Sequence, residues 1–513
     1  MKKYYGYITF RDGQESLINS LLTNHDVLGI MPTGAGKSLC YQIPALMKSG
    51  ITLVISPLVS LMKDQVSALV QQGIRGAYLN SSLTDRQYLK ALQNASRGIY
   101  KIIYIAPERL KAASFLRFAL NADIAMVAVD EAHCISQWGQ DFRPSYLDIS
   151  NFIDSLPRRP VIGAFTATAT DEVSKDIVKL LKLNDPVIVT TGFDRPNLFF
   201  SVMQPKNKPD ALMKLLGNRK GKSGIIYCSS RKRVEEVCEN LNHSGFSATR
   251  YHAGLDPKER ARNQDDFVFD RCQIMVATNA FGMGIDKSDV RFVIHYNMPK
   301  NLENYYQEAG RAGRDGENAD CILLYGREDE NTCRYFITHA EPNEQMTPEE
   351  QELFKEKEEQ RLCQMIAYCK TSKCLRSYML RYFGDKHDKN CGKCSTCIAK
   401  QQKALHRAIS QGEKAAKMIS RKMIPHNIKQ PPVDNDLLQA LKVVRLMYAK
   451  KQGVPAYVIF TDSTLAEMSS KKPMTESQFL SVSGVGRIKY EKYGEAFLRV
   501  IREYSLQNHN KKS

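Results

Sequence analysis

The chain has 513 residues, of which 43% are hydrophobic and 25% are charged, so its composition is that of a globular protein rather than a disordered one. This length allows roughly three or four domains of about 150 residues each. Lys and Arg number 73 against 55 Asp and Glu, which gives a net charge of +18. That surplus favours a polyanionic partner, nucleic acid before an anionic membrane, although a merely soluble basic protein has the same balance.

Targeting signals and cysteines bound the cellular setting. The first residues, MKKYYGYITFRDGQ, contain no apolar segment of signal-peptide length, and no apolar run is long enough to span a bilayer. We therefore expect an intracellular protein with reduced thiols and no membrane partner. Of the 13 cysteines, nine are scattered singly and are expected to be small buried hydrophobic residues.

Short β-branched runs alternate with helix-like segments from about residue 25 to 330. One set comprises DVLGIM, TLVISP, KIIYIAP, AMVAVDEAH and VIGAFTAT, and a second comprises SGIIYCSS, ATRYHAG, QIMVATNA, VRFVIHYNMP and CILLYG. Continuous apolar strands separated by helices predict parallel sheets covered on both faces. The sequence therefore predicts two α/β domains, 1–197 and 198–338, which meet near GFDRPNLFF.

The pattern becomes helical and charged after residue 340, which predicts a helical subdomain over 339–400. Residues 401–433 are predicted to be a basic linker, in which the lysines and arginines face only Glu413. A compact all-α unit is predicted over 434–506, followed by a frayed tail at 507–513.

The stretch MPTGAGKS, residues 31–38, lies between the strand VLGI and the helix-like LCYQIPALM. In a strand–loop–helix, glycines such as Gly34 and Gly36 let backbone N–H groups turn inward around phosphate oxygens. Lys37 would bridge the β- and γ-phosphates, and Ser38 would ligate Mg²⁺. Met31 replaces the first glycine of the strict pattern. A purely structural glycine-rich turn is the alternative, which the context disfavours.

Two adjacent acids, Asp130 and Glu131, end a second buried strand. The first acid in this position holds Mg²⁺ through water, and the second orients or deprotonates the attacking water. A solvated acid pair is the alternative, and the upstream P-loop makes it less favoured.

Two arginines, Arg311 and Arg314, lie in the glycine-rich stretch YYQEAGRAGRDG. They could reach across a cleft to the γ-phosphate as its charge spreads in the transition state, although surface arginines are usually solvated. The stretch FGMGID, residues 281–286, also offers glycines and an acid at a strand end. Together these features predict that an edge of the second α/β domain also faces the nucleotide.

Four cysteines form a C-x-x-C-x-x-C cluster with one distant thiol: Cys374, Cys391, Cys394 and Cys397. Four thiolates suit a closed tetrahedral Zn²⁺ site with a structural role. Cys369 and His387 lie nearby as alternative fourth ligands. A redox-active C-x-x-C is a rival interpretation, but the thioredoxin-like βαβ context is missing.

The stretch DEAHCISQWGQDFRPSY, residues 130–146, puts the acid pair beside the chain's only tryptophan. Trp138, Phe142 and Tyr146 have flat faces suited to stacking. A buried core tryptophan is the alternative. It is disfavoured because the flanking residues are polar or tiny, namely Ser136, Gln137, Gly139, Gln140 and Asp141.

Seven motifs in this sequence resemble, in order and spacing, those of the RecQ helicases of superfamily 2. They are FRDGQ (10–14), MPTGAGKS (31–38), DEAH (130–133), TATAT (166–170), YCSSRK (227–232), ATNAFGMGIDKSDVR (277–291) and QEAGRAGRDG (307–316). The resemblance covers nearly the whole chain. It implies two tandem RecA-like parallel-sheet domains, a helical zinc-binding subdomain and an all-α HRDC-like domain. It also implies ATP, Mg²⁺ and Zn²⁺ as cofactors.

The resemblance assigns roles to particular residues of this chain. Tyr7, Arg11 and Gln14 would recognise adenine, with Tyr7 stacking on the base, and Thr33 would join the phosphate-binding loop. Thr166 and Thr168 would link the nucleotide state to domain closure. Gln307 and Arg311 would contact the nucleotide or its water, and Arg314 would be the arginine finger.

In the family that the sequence resembles, the segment after the DEAH acids senses single-stranded DNA. Trp138 and Phe142 would then stack on bases, an interaction worth ~1–3 kcal/mol per base, and Arg143 would pair with phosphate or with a neighbouring acid. Because the loop continues directly from Asp130 and Glu131, DNA docking can shift the hydrolytic pair.

The sequence departs from the fuller family pattern after Cys397. No strand-like hairpin precedes Asp434, so the winged-helix domain that splits the duplex is missing from the pattern.

In the HRDC-like unit, Gly484 and Gly486 could bring bare N–H groups to a phosphate, and an ordinary glycine turn is the alternative. The positive charge around that turn comes from Lys471, Lys472, Arg487 and Lys489.

The favoured function is therefore an ATP-driven DNA helicase that moves 3′ to 5′ on single-stranded DNA and unwinds duplexes in repair or recombination. The alternatives are a DNA-stimulated translocase or remodeller with weak strand separation, an RNA helicase, and a DNA-binding scaffold with a dead ATPase. Expected partners are single-stranded and tailed duplex DNA, with single-strand-binding protein and other repair proteins as candidates. The resemblance to bacterial members implies a monomer in the cytoplasm, associated with the nucleoid.

Overall fold

The computed structural model describes residues 1–139, 142–281, 287–340, 346–385, 390–410 and 434–510. Several predicted features therefore lie outside the described residues: 282–286 of FGMGID, His387, Gln140, Asp141, residues 411–433 of the basic linker, and 511–513 of the tail. Among the described residues, no helix is both long and apolar enough to cross a membrane.

The first α/β domain contains a seven-stranded parallel sheet in the spatial order β3-β4-β2-β5-β6-β1-β7. Its strands are β1 (Val27–Ile30), β2 (Ile51–Ile55), β3 (Gly76–Leu79), β4 (Ile102–Ile105), β5 (Ile124–Val129), β6 (Val161–Thr166) and β7 (Val187–Thr190). Its helices are α1 (Lys2–Tyr5), α2 (Gln14–Leu22), α3 (Lys37–Met47), α4 (Val59–Gln71), α5 (Asp85–Ser96), α6 (Ala113–Asn121), α7 (Asp148–Ser155) and α8 (Asp171–Leu180). Central strands such as β1 and β6 are buried along their whole length, which explains their continuous apolar sequence.

The second α/β domain contains a six-stranded parallel sheet in the order β10-β11-β9-β12-β13-β8. Its strands are β8 (Leu198–Met203), β9 (Gly224–Tyr227), β10 (Ala248–Tyr251), β11 (Ile274–Ala277), β12 (Phe292–His295) and β13 (Ala319–Leu324). Its helices are α9 (Lys208–Gly217), α10 (Arg231–His243), α11 (Pro257–Val268), α12 (Leu302–Ala309) and α13 (Arg327–Thr338).

Helices make up the rest of the described chain: α14 (Pro348–Lys370), α15 (Leu375–Tyr382), α16 (Ser395–Ser410), α17 (Asn435–Gln452), α18 (Ala456–Ile459), α19 (Asp462–Lys471), α20 (Glu476–Leu480), α21 (Arg487–Lys489) and α22 (Glu495–Asn510). The long helix α14 begins at a capping box, in which the Thr347 and Glu350 side chains each bind the other's backbone N–H. Short turns of 3₁₀-helix lie at Ala132–Ile135 and Pro144–Leu147, directly after the acid pair.

The hydrophobic core links the two sheets to helices α14, α15 and α16, called here the cysteine-bearing helices. One continuous cluster includes Val129 under the first sheet, Tyr305 under the second, Leu362 of α14 and Cys394. The helices from 434 onward have a core of their own around Phe460. The predicted fold class is confirmed, with two parallel-sheet domains followed by a helical region and an all-α region.

The strand order also fixes where the functional residues meet. β1 pairs with β6, and β6 pairs with β5, all in parallel. Because the carboxyl ends of parallel strands lie at one edge of a sheet, the segments after these three strands come together there. Those segments carry the P-loop, the acid pair and the TATAT motif.

Candidate active site and zinc centre

A cleft of about 680 Å³ opens at that sheet edge and extends to the second α/β domain. All the residues that the sequence assigned to nucleotide binding and hydrolysis line it: Tyr7, Arg11, Gln14, Thr33, Gly34, Gly36, Lys37, Ser38, Asp130, Glu131, Gln307, Arg311 and Arg314. Residues as far apart in sequence as Tyr7 and Arg314 are thus brought to a single concave surface, as a ligand site requires.

The phosphate-binding loop has the backbone geometry that its glycines predict. Gly34 and Gly36 have φ of +84° and +87°, in the left-handed region, and Gly36 directly precedes α3. A side chain at Gly36 would place its Cβ 2.5 Å from Gln14 Nε2 and would displace that amide, and the left-handed φ would strain it as well. Lys37 Nζ donates to the Met31 carbonyl over 3.0 Å. The loop therefore directs a helix N-terminus and a lysine into the cleft.

Gln14 supports the phosphate-binding loop directly. Its side-chain amide donates to the carbonyls of Ala35, at 3.0 Å, and Gly36, at 3.2 Å. Its Oε1 accepts from the backbone N–H of Arg11 at 2.9 Å. Adenine recognition was the role implied by the resemblance, and the loop-supporting role was not foreseen. Tyr7 lies at the cleft with 37% of its surface exposed, which leaves its ring available to a base.

Asp130 is buried, whereas Glu131 is half-buried and has a strained backbone. Asp130 follows β5, and burial raises its pKa to about 7, with the Glu131 charge raising it further and the Lys37 charge opposing the rise. Glu131 has φ of +48°, a left-handed conformation that is uncommon outside glycine. Burial lowers the pKa of Lys37, and the two carboxylates oppose that change. A buried carboxylate near a hydroxyl such as Ser38 offers the oxygen ligands that Mg²⁺ prefers, so these residues fit that ion.

A series of close polar contacts leads from Glu131 to the second domain. His133 Nδ1 lies 3.5 Å from Glu131 Oε2 and 2.8 Å from Thr166 Oγ1. The Thr166 hydroxyl donates to the Thr168 carbonyl at 3.0 Å, so it accepts from His133. Gln307 Nε2 donates to Thr168 Oγ1 over 3.5 Å. The predicted threonines thus lie between Glu131 and a residue of the other domain, and His133 joins them.

The two arginines differ in what they face. Arg311 is buried. Burial raises the pKa of Tyr227, a residue of the same domain, and the charges of both Arg311 and Arg314 oppose that rise, with a hydrogen bond from Arg311 alone. Arg314 lies toward the other domain, because a Cβ built on Gly34 would be 3.8 Å from its Cγ. Its charge also lowers the pKa of Lys37. This geometry favours Arg314 over Arg311 as the arginine finger.

The segment after the acid pair folds back onto it. Tyr146 is 0% exposed, and its hydroxyl donates to the Asp130 carbonyl over 2.8 Å. The expectation that Tyr146 is a stacking face is therefore wrong, since its ring belongs to the core. Ser136 is also buried, and its Oγ donates to Asp176 Oδ2 over 2.6 Å. The polarity of Ser136 thus reflects an internal hydrogen bond and not exposure to solvent.

Trp138 is half-buried and contacts the cysteine-bearing helices. Lys357 Nζ of α14 lies 3.7 Å from the centre of its ring, a cation–π contact, and also pairs with Glu172 at 2.6 Å. The Arg361 guanidinium donates to the Trp138 carbonyl over 2.5 Å. One face of the ring is thus covered by an ammonium group. Phe142 and Arg143, the other predicted DNA contacts, are also half-buried.

Arg143 makes two contacts that hold the loop against the first domain. Its backbone N–H donates to the Cys134 carbonyl at 2.9 Å, and its guanidinium donates to the Pro57 carbonyl at 3.3 Å. The predicted phosphate contact would have to form from this position.

The four predicted zinc ligands form one cluster, in which the sulfur atoms all lie within 4.8 Å of one another. Sulfur atoms at the corners of a tetrahedron with Zn–S of about 2.3 Å are about 3.8 Å apart, and Cys394 and Cys374 are separated by 3.8 Å. Backbone N–H groups of Cys391 and Cys394 donate to Cys374 Sγ and Cys391 Sγ, each at 3.3 Å. Such donors stabilise thiolates, so the cluster fits Zn²⁺. Cys369 is buried elsewhere in the core.

The HRDC-like helices close one side of the cleft. Thr461, Ser463, Thr464, Glu467 and Ser483 contribute to its lining. The turn at Gly484 and Gly486 packs on the N-terminal segment, since a Cβ on Gly6 would lie 2.5 Å from the Val485 carbonyl carbon. The sequence had suggested that this turn could be open to a phosphate. The packing against the N-terminal segment shows that it is not.

The basic residues near that turn are paired within the protein. Lys471 pairs with Glu467, Lys472 with Asp434, and Arg487 with Glu476 and Glu491, while Lys489 donates to the Val458 carbonyl. The structure thus supports the alternative of an ordinary glycine turn with neutralised neighbours.

Comparison with known families follows the same order along the chain. Residues 11–177 match the DEAD/DEAH box helicase family, 207–316 the helicase conserved C-terminal domain, 327–398 the RecQ zinc-binding family and 434–501 the HRDC domain. Two solved structures share the fold: Mss116p bound to ssRNA and AMP-PNP, and Mycobacterium smegmatis helicase Lhr bound to ssDNA and AMP-PNP. Mss116p is 18% identical with a TM-score of 0.55, over 73% of this chain and 86% of that one. Lhr is 20% identical with a TM-score of 0.54, over 65% and 48%.

Curated relatives match over much greater lengths. The ATP-dependent DNA helicase RecQ of Bacillus subtilis is 38% identical over 98% of both chains. Its counterpart in Pasteurella multocida is 35% identical over 98% of this chain and 92% of that protein. The helicase SGS1 of Saccharomyces cerevisiae is 35% identical over 98% of this chain but only 34% of its own length.

The two sheets, the P-loop and the facing arginines define a two-domain motor driven by nucleoside triphosphate, of the helicase class. Within that class, the chain belongs to the RecQ family of ATP-dependent DNA helicases, which confirms the family predicted from the motifs. The predicted cofactors ATP, Mg²⁺ and Zn²⁺ accord with this family and with the four-cysteine cluster.

The contact between Tyr146 and Asp130 can be tested by Tyr146→Phe, which removes only the hydroxyl. We expect a loss of ~1 kcal/mol in unfolding free energy, because the Asp130 carbonyl loses a buried donor. We also expect the DNA-stimulated rate of ATP hydrolysis to fall more, relative to the unaltered protein, than the basal rate falls. Steady-state ATPase assays with and without single-stranded DNA measure this. Tyr378→Phe is the control, because its hydroxyl contacts Gln364, away from the cleft. Equal loss of both rates would contradict a coupling role.

The zinc centre can be tested by Cys394→Ser, which removes one sulfur ligand. We expect loss of bound zinc, measured by release to a metallochromic dye, and a thermal midpoint lower by several degrees, because metal binding contributes to folding free energy. Cys363→Ser is the control, since Cys363 is exposed on α14 and lies outside the cluster. Full zinc content in Cys394→Ser would exclude this ligand set.

Proposed function

We propose that this protein is a DNA helicase that uses ATP to move 3′ to 5′ on single-stranded DNA and to unwind tailed duplexes in repair and recombination. The observation that carries the proposal is the single cleft in which every predicted ATPase residue lies, in a chain that aligns with RecQ helicases over 98% of its length. An RNA helicase is less well supported, because the matches to the zinc-binding and HRDC families are those of the DNA-directed relatives.

Each of these cleft residues has a separate role in ATP hydrolysis. Lys37 and the N-terminal turn of α3 hold the phosphates. Asp130 and Ser38 hold Mg²⁺, which neutralises phosphate charge when bound. Glu131 orients the attacking water or accepts its proton, and Arg314 stabilises the charge that develops on the γ-phosphoryl group.

Closure of the cleft would be coupled to the nucleotide through Gln307. Its hydrogen bond to Thr168 crosses between the domains and leads back through Thr166 and His133 to Glu131. Hydrolysis that alters the position of Glu131 would therefore alter this contact. Each cycle would close the two α/β domains and reopen them.

The aromatic segment would couple DNA to the same acids. Trp138 and Phe142 would stack on bases, with Arg143 contacting phosphate. A base can reach the covered face of Trp138 only when it displaces Lys357. Because Tyr146 binds the Asp130 carbonyl, movement of this segment is transmitted to the metal-binding acid.

The proposal also covers the organisation and setting of the chain. We assign 1–197 and 198–338 to the RecA-like domains, 339–400 to the zinc subdomain, 401–433 to the linker and 434–506 to the HRDC-like domain, with 507–513 as a tail. Cys374, Cys391, Cys394 and Cys397 would ligate the zinc. Bacterial relatives and the charge of +18 support a nucleoid-associated cytoplasmic monomer. Single-strand-binding protein and other repair proteins are proposed partners.

The relatives bear on the missing winged helix. The alignment with the Bacillus subtilis protein spans 585 positions, although this chain has only 513 residues, so that relative has residues without a counterpart here. Between the matches to the zinc-binding family and the HRDC domain lie only residues 399–433. A basic stretch of this length would contact phosphates without reading sequence. Duplex opening would then depend more on the single-stranded tail.

Strand separation is tested with short duplexes that carry either a 3′ or a 5′ single-stranded DNA tail. We expect ATP-dependent opening of the 3′-tailed duplex alone, and none in Lys37→Ala, because that variant loses its phosphate contact. Gel separation of the released strand measures opening. ATP hydrolysis without opening would indicate a translocase or remodeller, and stronger stimulation by RNA than by DNA would indicate an RNA helicase.

DNA sensing is tested with Trp138→Ala. We expect near-normal basal ATP hydrolysis but loss of most of the stimulation by single-stranded DNA, with at least about tenfold weaker DNA binding from the lost stacking. Fluorescence anisotropy and ATPase titrations measure the two effects. Tyr335→Ala is the control, since this exposed aromatic lies on α13, outside the segment. Unchanged stimulation in Trp138→Ala would remove the aromatic segment from the mechanism.

A further inference from the structure

The connection between the two sheets, residues 191–197, carries an arginine whose side chain reaches both domains. Arg195 donates to the carbonyl of Thr33 at 2.7 Å, which belongs to the P-loop of the first domain. It also donates to the carbonyls of Gly310, Ala312 and Gly313 in the second domain, at 3.3, 3.0 and 2.8 Å. A fifth bond, 3.4 Å long, joins its Nε to Asn197 Oδ1.

These five bonds use every N–H group that a guanidinium has. The planar fork fixes the positions of its acceptors relative to one another, which a lysine ammonium with its single point of charge cannot do. The acceptors in the second domain are the backbone of the loop that carries Arg311 and Arg314. The acceptor in the first domain is beside the glycines that would surround the phosphates.

We propose that Arg195 is a positioning residue for ATP hydrolysis, because it sets the separation between the P-loop and the loop that presents Arg314. It does not line the cleft and would not touch the nucleotide. Its effect is on geometry: a displacement of about 1 Å in a group that stabilises the transition state is enough to lower the rate substantially. The inference rests on the proposed function, since it concerns the same hydrolytic site.

A second arginine holds the connection in place from the zinc region. Arg376, two residues after Cys374, is 4% exposed. Its guanidinium donates to the Arg195 carbonyl at 2.7 Å, to the Leu198 carbonyl and to the Asp194 carboxylate.

The zinc cluster is therefore connected to the ATP site by two consecutive arginine contacts. Arg376 joins the cysteine-bearing helices to the backbone at Arg195, and the side chain of Arg195 joins that backbone to both sides of the cleft. We include Arg376 in the proposal as the residue that orients the connection.

The test uses the full-length, zinc-loaded protein and compares Arg195→Ala and Arg195→Lys with the unaltered chain. We expect kcat for DNA-stimulated ATP hydrolysis to fall by at least about tenfold in both variants, as for loss of a group aligned in the transition state. Affinity for ADP, which depends chiefly on the P-loop, should change by less than about threefold. Lysine should not rescue the rate, because one ammonium cannot span the two loops.

A matched control is Arg219→Ala. Arg219 also pairs with a carboxylate, that of Asp320, and with a carbonyl, that of Leu215, but all its partners lie within the second domain. The kcat of Arg219→Ala should stay within about twofold of that of the unaltered chain. Thermal unfolding and zinc content, measured for each variant, show that the proteins compared are folded and metal-loaded.

The role of Arg376 is tested by a double-mutant cycle. If Arg376 acts through Arg195, the two effects are not additive. The variant with both residues changed to alanine should then have the same kcat as the single variant with the lower kcat. Additive losses would overturn the contact chain from the zinc region.

The outcomes separate this inference from the proposed function. An unaltered protein without DNA-stimulated ATP hydrolysis would contradict the proposed function itself. An active unaltered protein, together with Arg195→Ala or Arg195→Lys at normal kcat, would overturn the positioning role alone. So would full rescue by lysine, or a loss of kcat matched by an equal loss of ADP affinity.

Discussion

Opposite charges at one sheet edge, the half-buried Lys37 ammonium and the buried Asp130 carboxylate, constrain the rest of this structure. Removing either charge from water costs several kcal/mol, and only an opposite charge or a bound ion offsets that cost. Each shifts toward its neutral form on burial and is held back from it by the other. Parallel pairing of β1, β6 and β5 places the two groups together, because each follows the carboxyl end of its strand or the loop beyond it.

Several other parts of the described chain reach the same edge. The N-terminal segment supports the P-loop through Gln14, and the second domain supplies Gln307 and Arg314. The HRDC-like helices contribute Glu467 and its neighbours to the cleft wall. The zinc region touches the aromatic segment through Lys357. The nucleotide cleft is thus in contact with the N-terminal segment, the second domain and the HRDC-like helices, and the zinc region contacts the segment that follows the acid pair.

Local motifs were enough to predict the chemistry but not its supports. The P-loop, the acid pair and the four cysteines were recognisable because their spacing follows from one turn or one helix. Tyr146 and Ser136 were misjudged, because polar neighbours in sequence do not reveal partners such as Asp176, which is 40 residues away. Arg195 and Arg376 gave no signal at all, since most of their acceptors are backbone carbonyls, which any residue type can supply. The glycine turn at 484–486 was taken for an open surface because its cover lies at the opposite end of the chain.

The left-handed backbone of Glu131 has a consequence for how this sequence can vary. A non-glycine residue at φ of +48° carries local strain, typically ~1–3 kcal/mol, that the surrounding core must hold in place. Glycine or asparagine would relieve that strain and make the folded chain more stable, but would remove the carboxylate to which we assign the activation of water. Selection for thermal stability alone would therefore favour an inactive protein at this position. The strain persists because turnover and stability place opposite demands on one residue.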